Sequence, residues 1–482
     1  MLFNSFAFAI FLPLVFALYW TFFNQKKVSV RNAFILAASY VFYGWWDWRF
    51  LILIALTSFC SWRSGILINN SSGSNSKISA RFWLATNLVL NLGILAIFKY
   101  YNFFIETFVE AFSSVGVHLQ PSTLQIVLPV GISFYTFQAL SYSIDVYRKQ
   151  IMPTRNWLQF FAFVSFFPQL VAGPIERAKN LLPQFELLKK PDYKVFRSAI
   201  LLIAWGFFKK LMVADRLAVF IDSSFDNITT TAGLPMLLGI IFFAFQLYLD
   251  FSAYSDIAIG TAKLFGFDLM TNFRRPYLST SFGNFWKRWH ISLSSWFMDY
   301  VYIPLGGNRK GQYRTWLNVL IVFAVSGLWH GASWNFVIWG TLNAMFMILL
   351  DPVLNLIKSK NVIANCFKSL FIFACWTLSL VFFRAHGFQT ALDCFANLGL
   401  SGAENIINFG LNSVELKLSL VLILIILLKE MVWEKSETSV PAVFYKMPLI
   451  FRWIFYIAFI LSIVYFGQYG GENENAFIYF QF

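Results

Sequence analysis

The sequence contains few charged residues, and acidic residues are the scarcer kind. Only 12% of its 482 residues are charged, with 37 Lys and Arg against 23 Asp and Glu, whereas 58% are hydrophobic. Soluble globular domains carry about 25% charged residues, so this composition excludes an ordinary soluble domain. In a soluble protein the net charge of +14 would suggest nucleic acid. In a membrane protein the same excess of Lys and Arg is expected in loops retained on the cytoplasmic side, so we expect no nucleic-acid partner.

Cysteine and histidine are also rare, at four residues each, and they are not spaced as metal ligands. The sequence has no CxxC pair and no HExxH helix motif, the common zinc-binding spacings. It also has no GxSxG turn and no glycine-rich phosphate loop. We therefore expect no metal site, no tightly bound cofactor and no serine nucleophile, and we assign no cofactor-binding residues.

Apolar segments long enough to cross a bilayer, about 20 residues each, recur along the whole chain. With basic loops placed in the cytoplasm, they predict an all-α polytopic membrane protein of about 12 spans. The predicted spans are 2–23, 32–46, 48–62, 82–105, 122–147, 195–221, 234–263, 315–333, 334–350, 369–383, 414–430 and 449–467. The basic loop 24–31 places the N-terminus outside the cytoplasm. The runs 156–172 and 281–298 are short and basic on both sides, which predicts re-entrant or interfacial segments. Two prolines and a glycine predict a broken helix at 166–177. The sequence shows no clear internal repeat, which predicts a single membrane-embedded domain over residues 1–482.

Two histidines fall where hydrocarbon or packed apolar side chains are expected. His330 lies near the outer end of the predicted span 315–333, and His290 belongs to the segment 281–298, which enters from the cytoplasm. A neutral imidazole tolerates burial and can take up a proton near neutral pH. Either histidine taken separately could merely bridge two helices. The two together favour a functional site in the membrane interior.

Four further residues are candidates for lining this site: Trp329, Trp334, Arg288 and Asp250. The two tryptophans flank His330 and would limit the access of water. Arg288 could contact a phosphate-bearing donor, or it could anchor the segment at the membrane interface. Asp250 lies in an apolar helix, where a structural ion pair with Lys or Arg is more expected than catalysis.

Four stretches of the sequence resemble, in order and spacing, those of the membrane-bound O-acyltransferase (MBOAT) family. They are FFPQLVAGPIER, QLYLDFSAYSDIAIGTAKLFGF, NFRRPYLSTSFGNFWKRWHISLSSWFMDYVYIPLGGNR and SGLWHGASWNFVIWG. The likeness is to the bacterial branch that contains the alginate O-acetylation membrane subunit, and its strong motifs run from 128 to 340. It implies a central tunnel in which an acyl thioester from the cytoplasm meets an acceptor from the other side. The family's two signature histidines fall on His290 and His330, and the second is its usual catalytic residue.

The resemblance implies an O-acyltransferase of the bacterial cytoplasmic (inner) membrane, with acetyl-CoA or another acyl thioester as donor. His330 is expected to act as general base, and His290 to hold or polarise the thioester or to complete the tunnel. The expected acceptor is an exopolysaccharide hydroxyl, or an extracytoplasmic acyltransferase protein that receives the acyl group. Peptidoglycan O-acetylation and D-alanyl transfer to teichoic acid are open alternatives. Two alternatives from other functional classes are also open: a transporter or flippase of a cell-envelope glycan, and a scaffold for a secreted transferase.

Overall fold

The computed structural model describes residues 1–71, 78–119, 124, 126–357, 361–435, 446–469 and 477–478. Across these residues the secondary structure is helical, apart from one β-bridge between Gly233 and Leu398. The predicted all-α class is therefore confirmed. By contacts the chain forms two compact units, which comprise Met1–Ile203 with Ile257–Met270 and Ala204–Asp256 with Thr271–Phe482. A single acyltransferase domain over residues 1–482 stays a prediction.

Among the described residues, seven helices are long and apolar enough to cross a membrane, and each overlaps one of the predicted spans. They are Phe6–Phe23, Trp48–Asn70, Ala80–Ser113, Leu234–Leu264, Trp334–Leu356, Val362–Arg384 and Leu449–Phe466. The other five predicted spans lie on helices that are shorter or more polar: Val28–Gly44, Ile132–Tyr147, Tyr193–Phe207, Gln312–His330 and Ser413–Lys435. The structure thus supports a polytopic membrane protein, whereas the count of about 12 spans is not confirmed.

Short polar side chains mark where several helices begin. A side-chain oxygen at the N-cap accepts a hydrogen bond from a backbone N–H in the first turn, which would otherwise lack a partner within the helix. Among the described α-helices, caps of this kind lie at Ser5, Ser79, Asn156, Ser281, Ser333 and Asn361. Ser333 lies only three residues after His330 and caps the helix Trp334–Met345. The turn between this helix and the preceding helix Gln312–His330 is therefore tight.

The first unit packs its helices partly through polar side chains. Its α-helices are Phe6–Leu18, Val28–Gly44, Leu51–Asn70, Ala80–Leu95, Tyr101–Ser113, Ile132–Tyr147, Trp157–Val164 and Ala178–Leu181, with the first part of Tyr193–Phe207 and the end of Leu234–Leu264. Asn87 donates to Ser143 Oγ at 2.8 Å and accepts from Ser61 Oγ at 3.2 Å. Such bonds join three helices where the hydrophobic effect contributes little in lipid.

The broken helix predicted at 166–177 is observed in the first unit. No residue of this segment is helical, and all of its residues are buried. Its backbone finds a hydrogen-bond partner on another helix of the first unit, since the Phe167 N–H donates to Ser39 Oγ at 3.1 Å. A Cβ on Gly173 would lie 2.4 Å from the Cα of Gln169, so the chain needs a glycine there. Irregular backbone at membrane depth requires such shielding from lipid.

The second unit contains both candidate histidines. Its remaining α-helices are Asp215–Asp226, Phe282–Trp286, Ile291–Phe297, Gln312–His330, Trp334–Met345, Asp351–Leu356, Val362–Arg384, Phe388–Ala396, Ser413–Lys435 and Leu449–Phe466. The predicted segment 281–298 is two short helices with a sharp turn between them. A core of buried aromatic and aliphatic side chains, including Trp289, Trp339 and Trp376, fills the space between these elements.

Candidate active site

His330 is the last residue of the helix Gln312–His330. The chain leaves the helix there because Gly331 adopts an extended conformation, with φ −156° and ψ 149°. The imidazole is 6% exposed, and aromatic rings surround it. The ring centroids of Trp329, Trp339 and Phe383 lie 5.0, 5.2 and 5.7 Å from that of His330. This surrounding keeps bulk water away from the imidazole.

His290 lies in the turn between the helices Phe282–Trp286 and Ile291–Phe297, and it is 1% exposed. Its backbone is left-handed, with φ 44° and ψ 52°. This region is uncommon for residues other than glycine, although His, Asn and Asp adopt it more often than most. The ring packs edge-on against Phe251, with a centroid separation of 4.7 Å. The strained turn aims a buried imidazole into the core of the second unit.

The two histidines lie close together in the second unit, whereas their catalytic roles stay a prediction. Their ring centroids are 6.3 Å apart, although 40 residues separate them in the chain. Trp329 lies beside both rings, since its centroid is 6.1 Å from that of His290 as well. Two buried imidazoles at this separation can flank one small reacting group.

Asn272 is a neighbour of His290 that the sequence analysis missed. Its side-chain Oδ1 lies 3.2 Å from His290 Nδ1 and accepts hydrogen bonds from both the backbone N–H and the hydroxyl of Ser292. Its amide nitrogen donates to Ser255 Oγ at 3.3 Å. The residue belongs to the motif NFRRP, but nothing in the local sequence indicates which side chain its amide meets.

Small residues around His330 serve helix packing. A Cβ on Gly327 would lie 2.1 Å from the Phe336 carbonyl oxygen, and one on Gly331 would lie 2.0 Å from the Phe336 ring. A Cβ on Gly340 would lie 2.2 Å from the Phe323 carbonyl oxygen. The helices Gln312–His330 and Trp334–Met345 therefore touch through their backbones. This close contact fixes the position of His330 relative to Trp339.

The two flanking tryptophans differ in their surroundings. Trp329 is 4% exposed and lies beside both histidines, and its role as a lining residue stays a prediction. Trp334 is 53% exposed, whereas Trp329, Trp339 and Phe383 lie around the His330 ring. A lining role for Trp334 stays a prediction, while Trp339 and Phe383 are neighbours that the sequence analysis did not name.

Arg288 forms an ion pair rather than lying open to solvent. Its guanidinium donates to Glu434 at 2.7 Å, and Arg275 contacts the other oxygen of the same carboxylate at 2.8 Å. The hydrogen bond from Arg288 lowers the pKa of Glu434. Arg288 and Glu434 border a cavity of about 550 Å³ whose other lining residues, among them Tyr277 and Phe373, are mostly apolar. A contact between Arg288 and a phosphate-bearing donor stays a prediction.

Asp250 takes part in a buried ion cluster, as the ion-pair interpretation predicted. Lys210 Nζ lies 2.7 Å from Asp250 Oδ1 and 2.8 Å from Asp215 Oδ1. The second Asp250 oxygen accepts a hydrogen bond from the Ile478 N–H at 2.8 Å. Lys209 pairs with Asp256 at 2.9 Å. Both lysines lie on the π-helical turn Phe208–Ala214, which places them side by side. These contacts give Asp250 a structural role, and its role as a lining residue stays a prediction.

Within the described part of the chain, His, Cys, Asp and Glu side chains do not gather in groups of three or more that could hold a metal ion.

Comparison with known proteins identifies the kind of site these histidines form. A family model described as MBOAT, membrane-bound O-acyltransferase family, matches residues 148–385. The probable alginate O-acetylase AlgI of Pseudomonas aeruginosa is 40% identical to this chain over 389 residues, which make up 80% of this chain and 72% of that protein. The chain belongs to the membrane-bound O-acyltransferase family. It is thus an O-acyltransferase and an integral, multi-pass membrane protein, as its sequence motifs predicted.

Other MBOAT relatives act on different polymers. A peptidoglycan O-acetyltransferase of Helicobacter pylori is 34% identical over 436 residues, covering 84% of this chain and 81% of that protein. A teichoic acid D-alanyltransferase of Streptococcus thermophilus is 28% identical over 275 residues, covering 54% of this chain and 66% of that protein. The identity is higher, and the coverage broader, toward the two O-acetylating relatives.

The MBOAT match includes every residue of the histidine site. Asn272, His290, His330, Trp339 and Phe383 all fall within residues 148–385. Trp339 could have been found from the sequence, because it follows His330 by nine residues on the next helix. Phe383 and Asn272 could not, since only the tertiary structure brings them to the histidines.

Proposed function

We propose that this enzyme transfers an acetyl group from acetyl-CoA, supplied from the cytoplasm, to a hydroxyl group outside the cytoplasm. The proposed acceptor is a cell-envelope polysaccharide, reached directly or through an extracytoplasmic acyltransferase protein. The proposed location is the bacterial cytoplasmic membrane, with the N-terminus outside. The observation that carries the proposal is the pair of buried imidazoles 6.3 Å apart in a chain of the acyltransferase family.

In the proposed reaction His330 acts as general base. Its imidazole removes the proton from the acceptor hydroxyl while the oxygen attacks the thioester carbonyl carbon. The tetrahedral intermediate then collapses, the C–S bond breaks, and the CoA thiolate leaves and takes up the proton from the imidazolium. General-base catalysis of this kind contributes about 10²–10⁴-fold to the rate. The aromatic rings around His330 support this role, because they exclude water that would hydrolyse the thioester.

Acetyl transfer is preferred to D-alanyl transfer because of the relatives. The alginate and peptidoglycan O-acetylating proteins match this chain at 40% and 34% identity over most of its length, whereas the D-alanyltransferase matches about half of it at 28%. A thioester donor needs no covalent enzyme intermediate here, since thiolate is a good leaving group and positioning of the two substrates supplies much of the rate.

The test uses a strain that lacks the gene and carries either the wild-type protein or His330→Gln. Base-labile acetyl esters and D-alanyl esters are measured on the isolated envelope polymers. We expect the wild type to restore acetyl esters and His330→Gln to reduce their formation by at least about 10²-fold, with equal protein in the membrane fraction. His386→Gln is the matched control, because His386 is exposed, and it should acetylate normally.

Two results would overturn the proposal. Normal acetylation by His330→Gln would remove the general-base assignment. A loss of D-alanyl esters with unchanged acetyl esters in the deletion strain would replace acetyl by D-alanyl as the transferred group.

A further inference from the structure

Asn272 reaches His290 because the backbone segments that carry them pair with each other. The Ile291 N–H donates to the Asn272 carbonyl at 2.9 Å, and the Arg274 N–H donates to the Arg288 carbonyl at 2.9 Å. These two bonds join residues 272–274 to residues 288–291 on both sides of the His290 turn. The Asn272 side chain is thereby held beside the imidazole, and it is buried at 1% exposure.

The hydrogen bonds determine which way the Asn272 amide faces. The backbone N–H of Ser292 can only donate, and it lies 3.2 Å from the Asn272 atom assigned as Oδ1. A flipped amide would bring an NH₂ group against this N–H, two donors without an acceptor. On the other side, the amide nitrogen donates to Ser255 Oγ at 3.3 Å. The oxygen of Asn272 therefore faces His290.

The orientation of this amide in turn determines the tautomer of His290. His290 Nδ1 lies 3.2 Å from the Asn272 oxygen, so Nδ1 must carry a proton, because otherwise two acceptors would face each other. The Ser292 hydroxyl does not offer an equal alternative, since its oxygen lies 3.5 Å from Nδ1 but 3.0 Å from the Asn272 oxygen. Burial favours the neutral ring. In a neutral ring protonated at Nδ1, the lone pair is on Nε2.

We propose that Asn272 is a positioning residue that holds the His290 proton on Nδ1, so that Nε2 meets the substrate as a hydrogen-bond acceptor. This inference rests on the proposed function only for its effect on the reaction. It narrows the role of His290, because an Nε2 with a lone pair cannot polarise the thioester carbonyl by donating a proton. Instead it accepts a hydrogen bond from an O–H or N–H group of a substrate and orients that group beside His330.

The tautomer can be measured without any substrate. The chain has only four histidines, His118, His290, His330 and His386, so the ¹⁵N spectrum of histidine-labelled protein in lipid nanodiscs contains few signals. The His290 signals are identified by their loss in His290→Asn, a replacement that suits the left-handed turn. We expect a protonated, pyrrole-type Nδ1 and a pyridine-type Nε2 in the wild type. A wild-type His290 with its proton on Nε2 overturns the proposal, whatever the enzyme transfers.

Two Asn272 variants test the cause of this tautomer. Asn272→Ala removes the acceptor, and we expect the Nε2-protonated tautomer of His290 to become populated. Asn272→Asp keeps an acceptor for Nδ1 and adds a negative charge, while the Ser255 hydroxyl can turn to donate to the new oxygen. In this variant we expect both ring nitrogens to be protonated. Because the carboxylate is nearly isosteric with the amide, this variant keeps the test valid if Asn272→Ala fails to fold.

The matched control is Asn318→Ala. Asn318 is also a buried asparagine of the second unit, and it donates to the Gly307 carbonyl at 2.8 Å in a loop contact. Its replacement should leave the His290 spectrum as in the wild type. An unchanged His290 spectrum in both Asn272 variants refutes the positioning role.

A kinetic comparison connects the tautomer to the reaction. We expect Asn272→Ala to lower kcat for acetyl transfer at least about 10-fold, since a wrong histidine tautomer is costly in other catalytic sites. The KM for acetyl-CoA should change little, because Asn272 acts through His290 and not on the donor. A rise in KM with unchanged kcat would contradict the proposed role.

Discussion

Lys210 is the position where one substitution should destabilise the protein most clearly. Its ammonium group lies between the carboxylates of Asp215 and Asp250, at 2.8 and 2.7 Å. The side chains of all three are at most 3% exposed. Lys210→Met keeps most of the volume and removes the charge, so two buried carboxylates lose their common partner.

The expected loss follows from the geometry of this cluster. Removing one partner of a buried ion pair costs about 3–5 kcal/mol in the free energy of unfolding, because the remaining charge is desolvated without compensation. Asp250 keeps the hydrogen bond from the Ile478 N–H, so we expect a value within this range rather than twice as much. The entropy of unfolding is about 2.1 cal/mol/K per residue, so a chain of 482 residues shifts its Tm by roughly 1 °C per kcal/mol, and the expected loss corresponds to about 3–5 °C in Tm.

The assay is thermal unfolding of the detergent-solubilised protein, followed by the loss of the monodisperse peak in gel filtration. The variant Lys210→Met/Asp215→Asn/Asp250→Asn removes all three charges together and should recover most of the lost stability. Arg49→Met is the control, because Arg49 pairs with Asp47 at an exposed site and surface pairs contribute little. An unchanged Tm in Lys210→Met, or a triple variant less stable than the single one, would refute the reasoning.

Two further predictions concern helix packing and the pair of Arg288 with Glu434. Gly327→Ala should lower Tm, because its Cβ would lie 2.1 Å from the Phe336 carbonyl oxygen and overpacking costs about 1–3 kcal/mol. Gly93→Ala, whose Cβ meets nothing within 4 Å, should leave Tm unchanged or raise it, and an equal loss in both variants would contradict the packing argument. Since Arg288 lowers the pKa of Glu434, the pair stabilises the fold above the ordinary carboxyl pKa, and this contribution is lost as pH falls through the lowered value. Thermal unfolding should therefore show that Glu434→Gln is less stable than the wild type at pH 7, by at most about 1 kcal/mol. This difference in stability should shrink below about pH 4. A difference that grows on acidification would exclude the pair of Arg288 and Glu434 as its source.

The elements and residues that could be predicted from the sequence are those marked by local pattern. Long apolar runs placed the helices Leu234–Leu264 and Leu449–Phe466 almost to the residue. The outward span predicted to end at 105 continues as helix to Ser113, because polar residues such as Glu106 and Glu110 do not by themselves end a helix. The histidines could be found because an imidazole in an apolar run is unusual, and the family motifs then supplied their reaction.

The rest depends on contacts between residues distant in the chain. Asp250 was expected to pair with a basic residue, but Lys210 as its partner follows only from packing of the π-helical turn Phe208–Ala214. Asn272 lies 18 residues before His290, and its role arises from backbone pairing that no helical or strand periodicity encodes. Trp334, next to the motif, is more than half exposed, and its lining role stays a prediction.

The left-handed backbone of His290, with φ 44°, limits which residues can replace it. Only glycine adopts this conformation without strain, and asparagine and aspartate tolerate it better than other side chains. An alanine or glutamine at 290 would therefore disturb the turn as well as remove the imidazole, and loss of activity in such a variant would not isolate the chemistry. For mutational scans and for directed evolution of acyl specificity, the backbone at position 290 therefore restricts the choice to very few residue types, whereas the helical backbone at position 330 imposes no such restriction.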